Sequence, residues 1–471
     1  MHDTCGAGGA EGTIQGMEKR KGTIQFYLSV LAVAVPMMLE QLITNSVNLV
    51  DNLMVGTLGD AAIGSVAAVN RYYMIASYAA MGLSAAGGVF IAQYRGANEE
   101  EHMKESFRTM LLFNFLIIGL FTSAALLYPS SILSFFTRDP RIIHDGVIYL
   151  SIAAWSFLPM AVMMSVYSSM RSIGETRVPL RCSIISIFAN VILNYCLIFG
   201  AFGFPRLELR GAAAATLLAR LIELCASMVF LRRGNYAFKT SLADLFRIPR
   251  ELGLRVLSKA APLMLNETLW AGGMATLFKL YCVRGNDVMS GYSIACSIGD
   301  LFFMMLSGMA AAATVFISIP LGAGNKDEAR ENAYRLLRFS MALAVVLGIF
   351  IWLSRSLVPI LYSGVSAGAQ KVAADVLGVQ ACLFWIYMGG AQCYFTLRAG
   401  GDMRHTLIMD SGFMWAFAIP AVAFTTYCTN LPYLWPYVIG ELTEIVKLIF
   451  AFRLVKREEW LVNLTETEDE Q

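Results

Sequence analysis

Apolar stretches recur along the whole chain, each bounded by short clusters of charged, glycine and proline residues. Read as helices, they fall at 26–53, 64–93, 108–128, 147–170, 180–203, 211–231, 256–282, 288–319, 336–354, 372–397, 406–428 and 433–452. Each is close to or longer than the ~20 residues a helix needs to cross the hydrocarbon layer of a bilayer. Two stretches, 147–170 and 182–205, carry no charge at all. Several exceed a bilayer's thickness, which predicts tilt, kinks or projection past the lipid. The segments are continuously apolar instead of alternating with period two, so a transmembrane β-barrel is excluded. The region 405–452 is the hardest to divide, because Ser411 to Gly440 holds no charge, and Asn430, Pro432 and Pro436 supply the break there.

Basic residues then set the orientation. With a cytoplasmic N-terminus, most of the 36 Lys and Arg fall on the cytoplasmic side, including Lys19, Arg20, Lys21, Arg171, Arg177, Arg181 and the run from Arg232 to Lys259. Both termini are therefore read as cytoplasmic. The two halves also repeat. Pro36 matches Pro262 and Gly96 matches Gly322 at a spacing of 226 residues; after one inserted residue, Asn98 matches Asn325 and Arg108 matches Arg335. MRSIGETR at 170–177 matches LRAGGDMR at 397–404 in the same register. Both copies begin on the cytoplasmic side, so the repeats are parallel, related by an axis along the membrane normal. The expected architecture is an all-α integral membrane protein of twelve transmembrane helices in two six-helix lobes related by a pseudo-twofold axis. Its parts are a disordered cytoplasmic tail (1–23), an N-terminal lobe (24–231), a cytoplasmic linker (232–255), a C-terminal lobe (256–455) and a cytoplasmic tail (456–471). Two like lobes joined by one linker suit alternating access, in which one bundle rocks against the other.

Composition agrees and narrows the options. Of 471 residues, 57% are hydrophobic and only 15% charged, against about 25% charged in a soluble domain. A soluble enzyme and a disordered scaffold are excluded. The net charge of +2 creates no field that gathers polyanions, so no nucleic-acid partner is expected. Nine cysteines form no C-x-x-C pair, and four histidines (His2, His102, His144, His405) lie far apart, so neither a metal centre nor a cofactor is expected. An embedded enzyme would need clustered His, Cys or Ser–Lys groups, and none is visible.

Ionisable groups inside the apolar stretches each need a reason, since an unpaired one costs at least ~2.5–3.5 kcal/mol at mid-membrane. Glu40 and Asp51 share the first stretch and lie about 20° from alignment on a helix, about 16 Å apart along it. Thr44 and Asn48 extend this polar stripe, and Asn190, Asn194 and Asn266 join it as candidate polar groups of a cavity. Glu267 and Asp300 form a second acidic candidate pair. Asp51, Glu40, Glu267 and Asp300 are thus the candidate ion-coupling carboxylates. Arg220 with Glu223, and Glu444 with Lys447, sit three residues apart and read as structural ion pairs within one helix face. Asp410 reads as structural, and MRSIGETR and LRAGGDMR as basic loop ends that fix topology.

These residues bring a family into view. PMMLEQLITNSVNLVDNLMVGTLGD in the first stretch, APLMLNETLWAGG in the seventh, IPLGAGNKDEAR at 319–330, LNYCLIFGAFGFPRLELRGAAAATLLARLIEL at 193–224 and the tail EEWLVNLT resemble the multidrug and toxic compound extrusion (MATE) antiporters. The resemblance spans roughly 25 to 465. It implies a secondary active exporter of hydrophobic or cationic small molecules, driven by an inward H⁺ or Na⁺ gradient in the inner membrane and acting as a monomer. A lipid-linked glycan flippase of the same superfamily is the alternative, but it calls for a cationic cavity, and the intramembrane excess here is acidic. Three departures bear on the coupling ion: Asn52 replaces the usual Thr, Asn194 stands where some relatives carry a second aspartate, and Gly389 stands where sodium-coupled relatives can carry an acid.

Overall fold

The computed structural model describes residues 7–241, 244 and 247–466, exclusive of the side chains of 7–23 and 47–49. Among these residues the chain is all-helical and has no strand. The long helices are α1 (Ala7–Gly56, apolar from Ile24), α2 (Asp60–Gly96), α3 (Glu100–Leu127), α4 (Pro140–Ser172), α5 (Arg177–Phe199) and α6 (Glu208–Arg233). They continue with α7 (Arg250–Cys282), α8 (Asn286–Gly322), α9 (Lys326–Leu361), α10 (Ala367–Ala399), α11 (Met403–Cys428) and α12 (Leu434–Arg457). Ten of these are long and apolar enough to cross a membrane. The other two, α7 and α12, have 33 and 24 residues.

Local chemistry sets where these helices start and stop. Asp139 accepts from the Arg141 amide with Pro140 at the first turn of α4, Asn325 from Glu328 at α9, Ser366 from Ala369 at α10 and Asp402 from His405 at α11. The break expected from Asn430 and Pro432 falls between α11 and α12. Pro436 lies inside the first turn of α12, where its missing N–H forfeits no hydrogen bond. Arg284 donates to the carbonyls of Thr425, Thr426, Thr429 and Leu431, satisfying the orphaned end of α11. At the other end of the chain, α1 begins at Ala7, inside the segment expected to be a disordered tail. Adding residues to an existing helix needs no new nucleus.

Packing repeats along with the sequence. In the first half α1 packs on α5, α2 on α3 and α4, α3 on α4, α4 on α6, and α5 on α6. In the second half α7 packs on α11, α8 on α9 and α10, α9 on α10, α10 on α12, and α11 on α12. Between the halves α1 meets α8 and α2 meets α7, a pattern unchanged when the halves are exchanged. The C-terminal ends of α2 and α8 also touch. A Cβ on Gly96 would strike the Ile319 carbonyl, and one on Gly322 would strike the Gln93 carbonyl, so only glycine admits this backbone contact at both places.

Large apolar side chains such as Leu120, Phe188, Ile360 and Phe424 stand exposed on the outer surface, as lipid-facing positions require. Residues 458–466 fold back beneath the helices. Trp460 is fully buried and donates to the Val455 carbonyl, and the Val462 amide donates to Gly400. The Gln93 side chain donates to the Val462 carbonyl at 3.1 Å and accepts from the Leu464 amide at 2.6 Å.

Candidate functional site

Among the described residues, three polar clusters hold the candidate acids Asp51, Glu40 and Glu267. The first joins α1 and α5. The Asn194 amide donates to Asp51 and, at 3.2 Å, to the Asn190 side-chain carbonyl. Asn194 is fully buried, and its own side-chain carbonyl has no hydrogen-bond partner among the described residues. Tyr149, buried on α4, lies within electrostatic reach of Asp51. The arrangement presents a carboxylate beside an unsatisfied carbonyl oxygen, and oxygen donors of this kind fit a proton or a small hard cation. Of the other groups expected along this stripe, Thr44 spends its hydroxyl on the Glu40 backbone carbonyl, and the Asn48 side chain lies outside the described residues.

Glu40 does not join Asp51. Its Oε1 accepts from Arg171 at 2.7 Å and from the Ser183 hydroxyl at 3.4 Å, while its Oε2 is buried without a partner among the described residues. The same Ser183 hydroxyl reaches Glu223 Oε1 at 3.4 Å, to which the Tyr167 phenol donates at 3.1 Å. Arg220 donates to Glu223 Oε2 at 2.9 Å, so the expected pair forms. This second cluster ties α1, α4, α5 and α6 together through two acids and two arginines. The Arg171 guanidinium also lies 5.8 Å over the Tyr167 ring.

The third cluster occupies the second half. Asn266 donates to Asp410 at 3.1 Å and to the Tyr394 oxygen at 3.4 Å, and it accepts from the Ser411 amide and hydroxyl. The Tyr394 phenol donates to Glu267 at 3.2 Å. Lys447 donates to Asp410 at 2.9 Å and lies 3.3 Å from Glu444. The expected Glu444–Lys447 pair therefore forms, but its lysine is shared with Asp410. Arg398 lies 5.5 Å over the Tyr394 ring. Asp410 sits in a π-helical turn, Ile408–Gly412, a local widening common where a helix serves a special contact. Asp300 is exposed on α8 and is not brought into contact with Glu267; both lie within electrostatic reach of Tyr78.

Arg171, Tyr167, Ser183, Tyr394 and Arg398 carry these clusters, and none of them is among the site residues expected from the sequence. Arg171 and Arg398 stand in the two motifs expected to fix topology, but both lie at helix ends and turn back over a tyrosine one turn earlier. A signal exists in the repeat: Tyr167 and Tyr394, and Arg171 and Arg398, recur in the 227-residue register.

The MatE family model matches residues 36–196 and again 262–420, each match starting at one of the two repeated prolines. The chain belongs to the MatE family. It is 27% identical over 443 residues to a probable multidrug resistance protein NorM of Bradyrhizobium diazoefficiens, covering 92% of this chain and 94% of that protein. It is 22% identical over 450 residues to a probable multidrug resistance protein YoeA of Bacillus subtilis, covering 92% and 94%. Among solved structures, an outward-facing multidrug resistance MATE family transporter of the MOP superfamily superposes with a TM-score of 0.81 at 18% identity, covering 92% of this chain and 96% of that one. The bent form of the Vibrio cholerae MATE transporter VcmN gives 0.84 at 16%, covering 93% and 98%. This member of the MatE family has the fold of those transporters and is a multi-pass membrane protein.

Proposed function

We propose that this MatE protein is a secondary active exporter. It moves hydrophobic or cationic small molecules out of the cell against an inward H⁺ or Na⁺ gradient by alternating access. The pairing of helices supports the finer architecture: twelve spans in two six-helix lobes, α1–α6 and α7–α12, about a pseudo-twofold axis along the membrane normal. The segment 232–255 is then the linker, and both termini face the cytoplasm of a cell whose inner membrane holds the protein as a monomer. Small molecules are its substrates, the bilayer its solvent, and the coupling ion the only cofactor needed.

The observation that carries the coupling assignment is Asp51. It is an intramembrane carboxylate on α1, held by Asn194, next to a buried carbonyl with no partner among the described residues. A group of this kind alternates between a charged and an ion-neutralised state at moderate cost only where water and the driving ion reach it from one side at a time. The relatives named as multidrug resistance proteins support drug-like substrates, and an FAD transporter of Shewanella oneidensis, 23% identical over 304 residues, shows that the matched proteins include one named for a different cargo.

Inverted vesicles containing the protein test the reading directly. A cationic dye should enter them when a proton or sodium gradient is imposed, and dissipating that gradient should stop uptake. Dye movement that ignores both gradients would refute antiport.

A further inference from the structure

The second and third clusters occupy matching positions in the repeat. In the 226/227-residue register, Glu40 corresponds to Asn266, Tyr167 to Tyr394, Arg171 to Arg398, Ser183 to Asp410 and Arg220 to Lys447. Three of these pairs keep their chemistry, with tyrosine for tyrosine and cation for cation. The other two trade places. The first half puts its acid on α1 and a neutral hydrogen-bonding group on α5, while the second puts the neutral group on α7 and the acid on α11. In both halves the two traded side chains face each other across one helix contact, through Ser183–Glu40 at 3.4 Å and Asn266–Asp410 at 3.1 Å. In both, the acid is bound by a basic side chain from another helix, though not by matching ones: Arg171 of α4 binds Glu40 at 2.7 Å, and Lys447 of α12, the counterpart of Arg220, binds Asp410 at 2.9 Å.

We infer that Glu40 is a positioning residue. It is the first half's version of a clamp in which the half-buried cations need a carboxylate at the α1–α5 contact, whichever of the two helices carries it. The clamp fixes α1, and with it Asp51, against α4, α5 and α6, and Glu40 does not itself carry the coupling ion. The assignment rests on the antiport reading above. The physical reason is that stripping a half-buried cation of its acid costs more than moving the acid across a contact to the facing helix. The groups facing Glu40 are Arg171 and Tyr167 of α4, Ser183 and Cys182 of α5, and Arg220 and Glu223 of α6. Glu223 keeps its own arginine, so Arg171 is left without an acid when Glu40 is removed.

The test moves the first half's acid to the helix that carries it in the second half, with Glu223, 3.4 Å from the Ser183 hydroxyl and matched by Phe450, left in place. E40N removes the acid, and E40N/S183D moves it to α5. E40N should lower gradient-driven dye uptake at least tenfold and lower the melting temperature of the detergent-purified protein by several degrees. E40N/S183D should recover most of both, with an uptake-versus-pH curve that superposes on the wild type. If E40N fails to reach the membrane, recovery of insertion by E40N/S183D supports the clamp in the same way, and failure of that recovery counts against it. The inference is overturned if E40N keeps full uptake and stability, if the double variant is no better than E40N, or if the double variant is stable but its pH curve moves by a unit or more. The last result would make Glu40 a titrating partner in coupling. Melting temperatures do not depend on transport, so a wild-type protein that moves no dye sinks the antiport reading while leaving the clamp comparison standing.

Discussion

The outer parts of the two halves differ far more than their inner clamps do. Asp51, Asn190 and Asn194 gather on α1 and α5, but the matching places on α7 and α11 hold Leu277, Phe417 and Ala421. Leu277 is buried among apolar neighbours, and Phe417 stacks on Phe413 at 4.9 Å. The duplicated scaffold is thus kept where helices must be held together, and diverges where an ion could be held. In the second half Glu267 and Asp410 are both hydrogen-bonded within the clamp region. A site present once per molecule gives an exchanger a single coupling point, and on the proposed reading that point lies in the first half.

The sharpest way to break this comparison is to neutralise one acid in each half. Asp51→Asn keeps shape and hydrogen bonding but removes the charge. It should insert normally, bind substrate as well as or better than wild type, and lose gradient-driven efflux by about a hundredfold or more, measured as dye accumulation in inverted vesicles. Glu267→Gln, measured beside it, should cost less than tenfold. The comparison fails if Asp51→Asn exports at the wild-type rate while Glu267→Gln does not, because the coupling point then lies in the second half.

Much of the scaffold is legible in the sequence for a plain reason. A helix in lipid must be apolar for ~20 residues, so span positions are written as runs, and a duplicated fold repeats its glycines and prolines at a fixed spacing. Gly96 and Gly322 can be paired by register alone, although only the structure shows that each is pressed against the partner helix's backbone. The site is half legible. Asp51 and Asn194 stand out because polar groups in apolar runs are costly. Glu40 stands out for the same reason and groups with Asp51, because helical periodicity places both on one face of α1. Periodicity does not show that α1 leans its inner part on Arg171, which comes from a helix end more than a hundred residues away. The sharing of Lys447 between Asp410 and Glu444 is hidden likewise, because a spacing of three residues reports only the local partner.

The second expected effect concerns the clamps. Lys447 is nearly buried and serves two carboxylates, whereas Arg220 is one-third exposed and serves one that also accepts from Tyr167 and Ser183. Lys447→Met therefore leaves two acids without a counter-charge. It should destabilise the protein by about 3–5 kcal/mol, the usual cost of stranding a buried charge. Arg220→Met should cost clearly less, because two hydroxyls remain on Glu223. Thermal unfolding of the two variants in one detergent decides the order, and equal losses would mean that the two clamps bear charge alike.

The smallest expected effect tests what joins the halves. After α6, Phe238 turns back and is buried in an apolar cluster drawn from α2, α3 and α4 together with α7. After α12, Leu464 enters that same cluster, so the trailing segment of the second half also reaches side chains of the first. The crossing is held by Gln93 of α2, whose side chain makes two hydrogen bonds to the 462–464 backbone, while Trp460 stays packed on Gly400 of the second half. The tail therefore straps the halves together on the proposed cytoplasmic side, beside the Gly96–Ile319 and Gly322–Gln93 contacts. Opening that side must break the strap. Gln93→Ala removes both hydrogen bonds and leaves a buried amide and a buried carbonyl unsatisfied in the closed form only, a cost of about 1–3 kcal/mol. At about 1.4 kcal/mol per tenfold, the open form should gain roughly 5- to 100-fold in population. A cysteine placed at Ile319 in a cysteine-free background reports this as faster alkylation from the cytoplasmic face. Phe238→Ala should destabilise the protein but leave that alkylation rate unchanged, because its ring packs against Phe107 of α3 and takes no part in the Gln93 hydrogen bonds to the tail. Equal acceleration by both variants would mean that the tail is merely another piece of inner core, with no part in holding the two halves closed.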